Sequence, residues 1–120
     1  MESKTKPIST EVVDGVAIIE WYEHLPDDEA VREQVRRLLE RWEVEAYVAV
    51  DRSNRYLDGE TQEAIERMAG LADESGIERV GFVGEAIKAL AAKRPFEDRG
   101  LDVYMAEDRE EVVQWARGGD

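Results

Sequence analysis

Few residues of this 120-residue chain have the type and spacing to do chemistry. His24 is the single histidine, and an imidazole with a pKa near neutrality can act as a general base. No GxSxG elbow surrounds any serine, however, and no motif ties His24 to a nucleophile, so it reads as a solvent-facing loop residue. The chain has no cysteine, which removes thiolate nucleophiles, thiolate zinc sites and disulfides. Carboxylate pairs such as Asp27-Asp28 and Glu107-Asp108 could bind a cation. With 29 acidic residues such pairs arise by chance, and neither an EF-hand pattern nor HExxH is present. Gly81-x-x-Gly84 follows a strand-like run, but no Lys-Ser/Thr comes after it, which argues against nucleotide hydrolysis. The expectation is no catalytic residue, no metal and no cofactor.

A binding site is easier to place than a catalytic one. Open sheets take ligands in the crevice beyond the carboxyl ends of parallel strands. Those ends supply Asp51, Arg52, Ser53, Asn54, Arg55, Tyr56 and Asp58 after one strand, and Gly84 and Glu85 after the next. Glu107 and Asp108 follow the last. Arg52 and Arg55 stand out as bases in an acidic chain, suited to hold a carboxylate or phosphate in a fork. Tyr56 adds a flat apolar surface with a hydroxyl tip.

The elements that position these residues follow from the apolar pattern. Ile8 to Val13 and Val16 to Tyr22 flank Asp14-Gly15, a strong hairpin turn signal. Leu25-Pro26-Asp27-Asp28 opens a helix, with proline and acids in its first turn. Val31, Val35, Leu38, Leu39 and Trp42 then form one stripe, which predicts a buried face including Trp42. Ala46 to Val50 is short and apolar throughout, as strands covered on both faces are, and Arg79 to Gly84 reads as a second buried strand. A helix is predicted from about Glu60 to Ser75, with Gly76 as its stop. A second runs from Glu85 to Lys93, with Pro95 beyond it. Leu101 to Ala106 is a last strand, and Asp108 with Glu111 forms a capping box before a closing helix that Gly118-Gly119 ends.

The predicted class is α/β: a mixed, largely parallel five-stranded sheet with an N-terminal hairpin and about four helices. Its core comprises Ile18, Val35, Leu38, Val48, Val50, Ile65, Met68, Val80, Phe82, Ile87, Leu90, Val103 and Val112. Residues 1–7 read as a disordered tail and 8–120 as one domain.

Composition limits the partners. Sixteen bases against 29 acids leave a net charge of −13, which repels nucleic-acid backbones and anionic membranes alike. Twelve of the 16 bases are arginine and only four lysine. Acid excess with scarce lysine is the composition of a salt-adapted protein. The first residues carry no apolar leader, and no apolar run is long enough for a membrane span, so the chain reads as cytoplasmic.

Three segments carry a family resemblance. ERVGFVGEAIKALAAK resembles a fourth strand, glycine turn and short helix of the SpoIIAA-like family. LDVYMAEDREEVVQWA resembles its last strand and closing helix, with Trp115 in a familiar aromatic position, and AYVAVDRS is similar to its central strand. That family belongs to the STAS architecture and has been likened to the lipid-binding CRAL-TRIO fold. The resemblance implies a non-enzymatic binding or regulatory module that works through protein contacts. The alternative is a carrier or sensor of a small apolar or lipid-like ligand. A protein partner or a small apolar ligand is therefore expected, with a homodimer among the options. In the anti-sigma antagonist branch a turn serine is phosphorylated. Here the corresponding turn is Leu57-Asp58-Gly59-Glu60-Thr61, with glycine where the hydroxyl would stand, so a phosphoserine switch is not expected.

Overall fold

The computed structural model describes residues 8–22, 29–52, 59–84 and 86–118, without the side chains of 59–61 and 86–91. Asp14 and Gly15 both take positive φ, 50° and 83°, as a two-residue turn of the hairpin type requires. β1 (Ile8–Val13) therefore folds back antiparallel on β2 (Val16–Trp21), with Val13 opposite Val16. The chain continues through α1 (Glu29–Leu39), β3 (Ala46–Asp51), α2 (Gly59–Glu74), β4 (Arg79–Val83), α3 (Ala86–Glu97), β5 (Asp102–Ala106) and α4 (Arg109–Ala116). The sheet is α/β mixed as predicted: the five strands stand in sequence order, and every pair after the hairpin is parallel.

That order decides where the helices go. Each of the three crossovers steps one strand in the same direction, so crossovers of one hand stack α1, α2 and α3 on one face. The core there joins Val31, Val35, Leu39, Met68, Ala69, Ala72 and Phe96 to Ile19, Tyr47 and Val80. Among the described elements α4 covers the other face, where Val112 and Ala116 meet Val16, Ile18, Val48, Val50 and Val83. This two-sided cover explains why β3 and β4 carry apolar residues on both faces.

α4 presents a different contact on each of its sides. Val112 presses on Gly81, where any Cβ would collide with a Val112 methyl. Toward the hairpin, Arg109 reaches Glu11 at 3.2 Å and Arg117 reaches Asp14 at 2.8 Å, with Val113 between them. Toward β5, Trp115 stacks on Tyr104 at 5.2 Å, and the Tyr104 hydroxyl donates to Glu111. The helix end is held by Arg79, whose guanidinium donates twice to the Ala116 carbonyl at 2.8 and 3.0 Å.

Several expectations need correction. Trp42 is 93% exposed, not part of the α1 face. α1 ends at Leu39, and the turn that follows, closed by Val44 N–H on the Arg41 carbonyl, buries Val44 in its place. α3 runs to Glu97 and includes Pro95. Proline removes one backbone donor there, but the turn beyond it carries Phe96, which is fully buried and edge-on to Phe82. The box at α4 is half formed: Asp108 accepts from the Glu110 N–H, while Glu111 turns to Tyr104 instead of the cap. Leu38, Ile65, Phe82 and Val103 are partly buried at the margin of the core. Ile87 and Leu90 fall among the undescribed side chains, and Leu25 to Asp28 lie outside the described residues.

Candidate functional site

The carboxyl ends of β2 to β5 form one rim. Trp21 has a role on each side of it. Its indole N–H donates to the hydroxyl of Tyr47 across 3.0 Å, inside the core, and its carbonyl accepts from the Arg52 N–H at 2.9 Å. Burial pushes the Tyr47 hydroxyl well above the ordinary tyrosine pKa, so it stays protonated. Arg52 is thereby tied to the end of β2 before its side chain makes any contact.

Glu20 is the hub of the rim. It points to the α4 face from the penultimate position of β2 and is only 19% exposed. Its Oε1 accepts from the Tyr22 hydroxyl at 2.7 Å and from Arg52 Nε at 3.4 Å, and its Oε2 lies 3.5 Å from Arg109 Nε. Arg109 in turn bridges to Glu11. The Tyr22 hydrogen bond, with the two guanidinium charges, holds the Glu20 carboxyl below its usual pKa. The same bond raises the pKa of Tyr22. Five residues from β1, β2, the segments after β2 and β3 and the start of α4 are thus one charge-assisted network. Among the described residues Arg52 bonds through its Nε, and its side chain is 51% exposed. A guanidinium held through Nε at a surface is suited to grip a carboxylate or phosphate from outside.

Of the residues expected here, Asp51 and Gly84 come together: a Cβ at Gly84 would lie 3.4 Å from that of Asp51. Gly84 also bonds back to the Ala106 carbonyl at 3.3 Å, joining the ends of β4 and β5. The outgoing connections diverge at this point, since β4 leads to α3 on one face and β5 to α4 on the other. Such a divergence is where open sheets leave a crevice. Ser53, Asn54, Arg55, Tyr56, Asp58, Glu85 and His24 lie outside the described residues. Glu107 is exposed at the rim, and Asp108 serves as the α4 cap.

Glu20 and Arg109 were missed from sequence. The available signal is the lone charge that follows the apolar run VAII, in a strand that serves both as a hairpin arm and as the first parallel strand. Among the described residues no group of three acids or histidines is arranged to hold a metal ion, and no helix is long and apolar enough to cross a membrane. No protein-family model and no curated protein matches the sequence.

Proposed function

We propose that this chain is a non-enzymatic, STAS-type binding or regulatory module that acts through protein contacts, with the rim at Asp51, Arg52, Gly84 and the segment 53–58 as its docking site. The observation that carries the reading is Arg52: its backbone N–H is tied to the Trp21 carbonyl and its guanidinium to Glu20 through Nε, yet the side chain is half exposed. Preorganised arginines are the residues on which protein interfaces concentrate their energy. The resemblance of the second half of the chain to the SpoIIAA-like family points the same way.

The large groove between α1 and α2 fits this reading better than it fits a carrier of apolar molecules. It spans about 700 Å³ and is open, with Glu29, Arg32, Arg36, Glu66, Arg67 and Arg99 among its lining. Apolar ligands are held by enclosed, mostly apolar cavities. The acidic surface is that of a cytoplasmic protein adapted to concentrated salt, and Gly59 at the start of α2 leaves no serine for a phosphate switch.

With the partner isolated from the native host, Arg52→Ala and Arg55→Ala should each weaken binding by about 1–3 kcal/mol and leave the melting temperature nearly unchanged. Amide shifts on partner addition should cluster at 51–58 and 84–85. Shifts confined to the hairpin or the outer helix faces would refute the assignment.

A further inference from the structure

We propose a second docking surface, at the opposite end of the sheet, for a lysine- or arginine-rich segment of a protein partner. It rests on the protein-contact reading but uses none of the rim residues. Its centre is Trp42, the one large apolar side chain that stands exposed among the described residues, at 93%. The turn that carries it is fixed on both sides: Arg41 N–H bonds to the Leu38 carbonyl and Val44 N–H to that of Arg41 at 3.0 Å, with the Val44 side chain buried. One residue later, Glu45 N–H bonds to the Gly15 carbonyl at 2.8 Å. The indole therefore projects from a backbone that is tied down on both sides. In a surface so rich in charge, an exposed tryptophan on a hydrogen-bonded turn is the side chain best suited to anchor a partner.

The chemistry of the occupant follows from what stands at the same end of the sheet as Trp42. Glu78 N–H bonds to the Glu45 carbonyl and Asp102 N–H to the Glu78 carbonyl. These three exposed acids thus sit at the starts of adjacent strands, about 4.8 Å apart from one strand to the next. None of the three has an ion-pair partner among the described residues, because the nearby cations are engaged elsewhere. Arg41 pairs with Glu43, Arg117 with Asp14, and Arg79 caps α4. A cationic side chain laid over the Trp42 ring gains a cation–π contact, while its neighbours in the segment meet the carboxylates. A second copy of this chain would bring the same unpaired carboxylates face to face, so self-association does not use this end.

A peptide of alternating lysine and leucine, about as long as the sheet edge, is a suitable probe, with a glutamate/leucine peptide as control. Titrated into ¹⁵N-labelled protein, the cationic probe should shift the Trp42 indole signal saturably and leave those of Trp21 and Trp115 in place. Trp42→Ala should weaken it at least tenfold, Glu78→Gln by a smaller factor that shrinks in high salt, and Arg52→Ala not at all. Equal affinity for wild type and Trp42→Ala, equal binding of the glutamate peptide, or a dimer that Trp42→Ala dissociates would each overturn the proposal. The rim reading stands or falls separately, on the Arg52 variant with its own partner.

Discussion

A methyl group of Val112 fills the space where Gly81 would carry a Cβ, so α4 rests directly on the backbone of β4. Glycine inside a central strand ordinarily weakens it. Here it sets the depth to which α4 can sink on that face. Gly81→Ala should push α4 outward and cost about 1–3 kcal/mol by overpacking. In a double-mutant cycle with Val112→Ala the losses should be less than additive, because the second change removes the colliding methyl. Denaturant melts of the four proteins measure this coupling directly.

Leu39 and Trp42 are three residues apart but belong to different environments. Leu39 is fully buried against the sheet, so Leu39→Ala should cost about 2–5 kcal/mol. Trp42→Ala should stay within about 0.5 kcal/mol. Equal losses would mean that α1 continues past Leu39.

Glu20 links the rim to pH. Its folded-state pKa is depressed below 4.5, chiefly by the Tyr22 hydroxyl and then by Arg52 and Arg109. A group with a depressed pKa stabilises the fold above its unfolded value, and that stability disappears as pH falls through the folded value. Glu20→Gln should therefore flatten the acid limb of the stability curve below about pH 4.5 and leave its shape near neutrality unaltered. An unchanged acid limb would show that Glu20 is not held by these partners.

Net charge of −13 on so small a fold implies self-repulsion, which added salt screens over a length that falls from about 10 Å at 0.1 M to about 3 Å at 1 M. The melting temperature should rise steeply from about 0.1 to 3 M KCl. A flat or falling trend would remove the salt-adaptation reading.

The α/β class and the strand sequence were legible because the strong signals were local. Asp14-Gly15 marks the hairpin, AYVAV and RVGFV are apolar on both faces, and Gly76 takes the positive φ, 81°, expected of a helix stop. The end of α1 was not legible. Trp42 continues the apolar spacing of Val35 and Leu39, and no glycine or proline announces the turn. Only the burial of Val44, three-dimensional information, ends the helix at Leu39. Pro95 misled in the opposite direction, because the gain from burying Phe96 outweighs a lost backbone hydrogen bond. The rim was half legible. Asp51, Arg52 and Gly84 follow from strand ends alone, whereas Glu11, Glu20 and Arg109 converge from distant parts of the chain, where no spacing rule connects them.

Native mass spectrometry of the endogenous protein, purified in high salt, tests the central claim most directly. A module that works through protein contacts should appear with a second polypeptide at fixed stoichiometry, and Arg52→Ala should release it. The bare chain carrying a stoichiometric small apolar molecule, with no protein partner, would contradict the account.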